Sequence, residues 1–245
     1  MLLLRNGICS QGKNMTRAMI LAAGLGTRMR PLTAQCPKPL IPIAGTTLIE
    51  HNIHQLKVNG ITDLVINLGY LGHMIESYLG TGSDHGVRIQ YTYESPDQLL
   101  GSGGGVKHAL SLLGEAPFVL VSADIWWTMS LGAVIAATQS RQTVLWATKN
   151  PAYHRNGDFT LSNRQVTLNH ADHNATFSGV GIFCPSYFSD VDARIFGLDV
   201  IIKQSVTENT CTGHWVDGIY ENVGTPEQIT ALEKRLQATP QHELG

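Results

Sequence analysis

Residues 18–40 read AMILAAGLGTRMRPLTAQCPKPL. An apolar run, Ala18 to Leu21, passes through Ala22 and Ala23 into glycine, which predicts a buried parallel strand over residues 17–23 that empties into a loop. That loop carries two cations, Arg28 and Lys38, ten residues apart. Its glycines, Gly24 and Gly26, match neither the dinucleotide fingerprint nor the P-loop spacing. They still let the main chain approach phosphates and aim amides at them, while Arg28 can grip oxygens bidentately and Lys38 can act as a point charge. Pro37 and Pro39 flank Lys38 and stiffen the backbone that carries it.

Outward from this loop the chain alternates. TTLIEHNIHQLKVNG (46–60) predicts a helix, with Thr47 and Glu50 spaced as a capping box and Ile49, Ile53 and Leu56 on one face. DLVINLG (63–69) is a buried strand, LGHMIESYLG (71–80) a short helix, VRIQYTY (87–93) a strand and GGVKHALSLLG (104–114) a helix that begins on a glycine run. FVLVSAD (118–124) is a wholly apolar strand that stops at an acid, Asp124. Strands and helices joined by short loops imply βαβ crossovers, hence an α/β fold with a mixed, mainly parallel central sheet covered on both faces. Ligands gather at the carboxyl ends of such strands, so the opening loop and Asp124 are expected to face one crevice. After about residue 141 the texture changes to strand-like pieces between Asn, Gly and Asp turns, and this half is expected to hold the acceptor pocket. A last helix is predicted from Pro226 to about Ala238.

The 245 residues carry 17 Lys plus Arg against 19 Asp plus Glu, a formal charge of −2 that offers no basic field for nucleic acid. Cys9, Cys36, Cys184 and Cys211 form no C-x-x-C pair, so neither a disulfide framework nor zinc is expected, and a reducing cytoplasm suits them. No run has the length of a membrane-spanning helix, and the three leucines at the start are too few for a signal peptide. Residues 1–14 are expected to be a disordered extension, with Met15 a second candidate start, ahead of a single domain over 15–240 whose two halves meet at about residue 140.

An acid that ends an apolar strand is often only a turn or cap residue. Asp124 is also well placed for magnesium, which prefers one or two carboxylates together with phosphate oxygens. Trp126 and Trp127, directly after it, read as packing. The glycines of LLGSGGGVKHAL (99–110) give either a flexible helix start or consecutive amides suited to a base or phosphate. The histidines of NPAYHRNGDF and LNHADHNATFSG lack metal-helix spacing and read as surface or acceptor-contact residues.

Taken in order, these pieces resemble the sugar nucleotidyltransferases, whose opening signature is similar to LAAGLGTRMRPLTAQCPKPLIPIAG. Within that family, GSGGGVKHAL, SADIW, KNPAYHRNGDFTL, ATFSGVGIF and GHWVDGIYENVGTPEQI are most similar to the small bacterial N-acetylmuramate 1-phosphate uridylyltransferases of cell-wall recycling. The resemblance implies a Rossmann-like nucleotidyltransferase fold in which a sugar 1-phosphate oxygen attacks the α-phosphorus of a nucleoside triphosphate, UTP by preference, and pyrophosphate leaves. It also implies a cytoplasmic enzyme, a monomer or small homo-oligomer, that needs Mg2+ and no nucleic acid or membrane. Ala22, Ala23, Gly24 and Gly26 would line base and phosphates, Arg28 would neutralise pyrophosphate, and Lys38 would bridge the reacting phosphates. Gly103 and Gly104 would present main chain to the base, Asp124 would bind magnesium, and Gly179 with Asn156 or Asp158 would touch the sugar. One position departs from the family: Asn222 stands where a second metal carboxylate is usual, so a weaker hold on the ion is expected. Other readings are guanylyl, thymidylyl or uridylyl transfer to a hexose 1-phosphate, and a nucleotide-sugar sensor of low turnover.

Overall fold

The structure, a computed structural model, describes residues 17–168 and 173–239. The expected extension over residues 1–14 lies outside the described residues. In chain order, β1 (Arg17–Ala22) leads into 3₁₀ turns at Thr27–Met29, Leu32–Ala34 and Lys38–Leu40 and a small hairpin, β2 (Pro42–Ile43) and β3 (Thr46–Thr47). Then come α1 (Leu48–Val58), β4 (Asp63–Leu68), α2 (Gly72–Leu79), β5 (Arg88–Tyr93), α3 (Gly101–Leu113), β6 (Phe118–Ser122), β7 (Ile125–Trp127), α4 (Gly132–Ala137) and β8 (Thr143–Lys149). The rest is β9 (Thr160–Ser162), β10 (Gln165–Thr167), β11 (Ala175–Phe183), α5 (Pro185–Ser189), α6 (Leu198–Thr207), β12 (Cys211–Trp215), β13 (Tyr220–Asn222) and α7 (Pro226–Ala238).

Nine strands form one sheet in the order β5-β4-β1-β6-β11-β8-β12-β10-β9. β5, β4, β1 and β6 are mutually parallel, β8 and β12 are parallel, and β11 and β10 run against their neighbours. Successive residues of β1 feed opposite faces, as the period of a strand requires. Ala18, Ile20 and Ala22 pack with Ile49 and Ile53 of α1 and Ile75 of α2, whereas Met19 packs with Val106 of α3, Phe188 of α5 and Ile201 of α6. The sheet is therefore buried on both faces, which explains why its strands read as nearly continuous apolar runs.

α1 starts where the capping box places it: Glu50 N donates to Thr47 Oγ1 at 3.3 Å, and Thr47 N donates to the Glu50 carboxylate at 3.0 Å. A separate apolar cluster joins Leu232 and Leu236 of α7 to Met29, Ile43, Trp126 and Val223, so the last helix braces the opening loop. A two-stranded ribbon of β7 and β13 pairs Ile125 with Asn222 and brings the C-terminal segment beside Asp124.

Candidate active site

The cleft opens where β1 and β6 end, and it encloses about 470 Å³. Ala22, Ala23, Gly24, Gly26, Arg28 and Lys38 line it from the opening loop, and Ser122 and Asp124 line it from the end of β6. Lys38 sits in a 3₁₀ turn whose entry, Pro37, is held extended, and the side chain is almost wholly buried. Its Nζ lies 2.8 Å from Asp124 Oδ2. The residues expected to hold the reacting phosphates and the metal thus meet across 86 positions of sequence.

The two glycines of the loop do different work. At Gly24 an added Cβ would stand in open space, so the cleft comes close to the main chain there. Gly26 adopts φ +61°, a left-handed conformation, and its carbonyl accepts from Thr33 Oγ1 at 2.7 Å and from Met29 N at 3.0 Å. Gly26 therefore shapes the turn that places Arg28. The Arg28 guanidinium reaches the neighbourhood of Gly224, just beyond β13, and both residues line the cleft.

At α3 the structure corrects the sequence reading. The amides of Gly103 and Gly104 do not face the cleft; both donate to the Phe196 carbonyl, at 3.0 and 3.1 Å. These glycines are small because Phe196, Gly197 and Arg194 pack directly on them. The cleft is lined instead by Gly101, with φ +76°, and Ser102. Ala22 likewise lines the cleft with its amide already engaged, donating to Asn67 Oδ1 at 2.9 Å.

That bond belongs to a network the sequence reading missed. Asn67 Nδ2 donates to Glu94 Oε1 at 2.6 Å, and Leu100 N donates to Glu94 Oε2 at 2.8 Å. Both side chains are buried and line the cleft. A buried carboxylate must be hydrogen-bonded to persist, and here its donors tie the end of β4 to the start of α3. The available signal was an acid two residues before Pro96, after an alternating strand, and it carries no chemistry until Asn67 is placed opposite.

Asn222 comes to Asp124 through the β7/β13 ribbon, with Val223 N donating to the Asp124 carbonyl at 2.9 Å. The Asn222 Oδ1 atom is buried without a hydrogen-bond partner. One carboxylate and one orphaned amide oxygen are a donor set that suits a hard cation completed by phosphate oxygens. Among the described residues no group of three or more His, Cys, Asp or Glu converges to hold a metal. Asp217 is exposed, and Glu221 is half-buried with its carboxyl pushed up by burial and drawn back by Arg235 of α7.

The expected sugar contacts, Asn156, Asp158 and Gly179, do not themselves line the cleft. Asp158 is pinned by Phe177 N at 2.7 Å and by His154 Nε2 at 2.9 Å, and Asn156 is exposed on the same loop. Gly179, with φ +86°, lies in the irregular stretch of β11 between Phe177 and Gly181, and a Cβ there would meet Ser122 Oγ at 2.8 Å. It shapes the wall behind the cleft, and its contact is with Ser122. Trp126 and Trp127 are buried packing residues, as read: His51 stacks on Trp126 with ring centroids 3.6 Å apart, and its Nε2–H donates to the Trp127 carbonyl at 2.8 Å. His170 lies outside the described residues.

Comparison with known proteins adds to this geometry. The nucleotidyl transferase family model matches residues 17–158. An N-acetylmuramate alpha-1-phosphate uridylyltransferase of Neisseria meningitidis is 39% identical over 217 residues, covering 85% of this chain and 93% of the relative. Its counterpart in Caulobacter vibrioides is 34% identical over 233 residues, covering 89% and 96%. A crystal structure of a UDP-glucose pyrophosphorylase with UDP-glucose shares the fold with a TM-score of 0.75 at 17% identity, over 91% of this chain and 99% of that one. The chain belongs to the nucleotidyl transferase family, and it is a sugar-1-phosphate nucleotidyltransferase.

Proposed function

We propose that this enzyme transfers a uridylyl group from UTP to N-acetylmuramate 1-phosphate, giving UDP-N-acetylmuramate and pyrophosphate in the cytoplasmic recycling of peptidoglycan. The observation that carries this reading is the similarity to two uridylyltransferases of that name over more than nine-tenths of their length. An oxygen of the sugar phosphate forms the new bond to the α-phosphorus, and the bond to the bridging oxygen breaks, sending its electron pair out with pyrophosphate. Such transfers run on positioning and charge neutralisation. Lys38, held by Asp124, supplies positive charge where the two reacting phosphates meet. Arg28, in the 3₁₀ turn that follows the loop's glycine, receives the departing pyrophosphate. Asp124 and Asn222 would hold Mg2+, which when bound offsets charge on the transferred group. Gly101, Ser102 and the Asn67–Glu94 pair form the wall against which the base lies, and Asn156 or Asp158 with Gly179 would meet the sugar.

The test is pyrophosphate release with Mg2+ and a matrix of nucleoside triphosphates against sugar 1-phosphates. The expected result is preference for UTP with N-acetylmuramate 1-phosphate. Preference for GTP or dTTP, or for a hexose 1-phosphate, would overturn the assignment while leaving the chemistry. Binding without release for every pair would favour the sensor, a reading that draws on Asn222.

A further inference from the structure

The Lys38 ammonium is paired with a particular oxygen of Asp124, Oδ2, at 2.8 Å. An ammonium carries three donors, so this bond leaves two N–H groups for phosphate oxygens. The same bond changes what Asp124 can offer a metal ion.

Both partners sit on braced main chain. Lys38 is 8% exposed, Ile41 N donates to its carbonyl at 3.1 Å, and Leu40 N closes the turn onto Pro37 O at 2.9 Å. On the other side, Ala123 N donates to Leu21 O at 3.0 Å and Val223 N donates to the Asp124 carbonyl at 2.9 Å. Burial confines the lysine stem, and the end of β6 holds the carboxylate opposite it.

A carboxylate can hold a cation with one oxygen or grip it with both. Calcium takes about six to eight oxygens in flexible geometry and accepts two-oxygen grips, whereas magnesium demands a near-octahedral set and keeps several waters. With Oδ2 committed to Lys38, Asp124 has Oδ1 left for a metal ion. Asn222 also has one oxygen to give: its Oδ1 is buried without a hydrogen-bond partner, and its other terminal atom is a nitrogen that donates. We propose that Lys38, together with Asn222, sets the ion selectivity of the site. By occupying Asp124 Oδ2, the ammonium confines each protein ligand to a single oxygen, which suits magnesium or manganese completed by phosphate oxygens and water and disfavours calcium. Loss of the ammonium restores a two-oxygen grip at Asp124, and an aspartate restores one at position 222. This inference rests on the metal reading of Asp124 and Asn222.

The experiment is titration of the full chain with Mn2+, free ion read by electron paramagnetic resonance, followed by competition with Ca2+. Wild type is compared with Lys38→Met, Asn222→Asp and Arg28→Gln, the last removing a positive charge from the same cleft at a residue set against Gly224. Lys38→Met and Asn222→Asp are each expected to raise Ca2+ affinity several-fold more than Mn2+ affinity, and Arg28→Gln to leave the ratio of the two unchanged. An unchanged ratio in Lys38→Met overturns the proposal. So does an equal change of ratio in Lys38→Met and Arg28→Gln, since the charge of the cleft would then act without any blocked oxygen. Asn222→Asp leaves the Lys38 turn untouched, and an unchanged ratio there overturns the part given to the amide. Failure of wild type and Asn222→Asp alike to bind Mn2+ would instead overturn the metal reading itself.

Discussion

Lys38 is buried, fixed by prolines on either side and 2.8 Å from Asp124. A flexible, strongly hydrated ammonium has been given one position before substrate arrives, so little of its freedom remains to be lost on binding. In the proposed mechanism, replacing it by alanine removes charge from the reacting phosphates, and it leaves Asp124 without its cation. Turnover in the Lys38→Ala variant is expected to fall on the order of 10²–10³-fold, as when a preorganised charge partner is lost. Pyrophosphate release read beside circular dichroism checks it, and near-normal turnover in a folded variant would refute the role. The sequence exposed this lysine because prolines announce a fixed side chain. It did not expose Glu94, because what matters about that residue is which distant groups it meets.

Among the elements, those whose signals are local were readable. Thr47 and Glu50 announced the start of α1, and Pro226 announced α7, because a cap is made by residues within one turn of each other. Thr47→Ala breaks the box and is expected to lower stability by about 1 kcal/mol, measurable as a shifted urea midpoint with unchanged slope. No shift would mean that β3 and the packing of Leu48 define the helix start without the cap. The glycine run of α3 was read correctly as a helix start but given the wrong partner. Small residues admit close approach, and their spacing cannot say whether Phe196 or a ligand approaches.

Across the whole molecule, alternation of strand and helix gave the α/β class, but the order of strands was hidden. β11 lies between β6 and β8, although it follows both in sequence, and only long-range pairing decides that. Two titrating groups of the core show what such burial costs: burial pushes the Cys211 thiol up to about 12 and His51 down to about 4. The neighbouring His54 adds to the His51 shift, and the bond to Trp127 opposes it. Above the ordinary histidine value of 6.5 the ring is neutral in both the folded and the unfolded chain. Between that value and about 4, the unfolded chain takes up a proton that the folded one refuses, so stability falls with pH by up to about 3 kcal/mol. Urea unfolding at pH 7 and pH 5 should show this loss, and His51→Gln should flatten it; an unchanged difference would place the acid sensitivity elsewhere. The clasp on α3 has a consequence for biosynthesis. Leu100 accepts from Phe196 N, Ser102 Oγ accepts from Leu198 N, and the α3 amides hold the Phe196 carbonyl. On the ribosome, a nascent chain that has completed its opening loop and β6 has some seventy residues still to add before Phe196 can clasp α3.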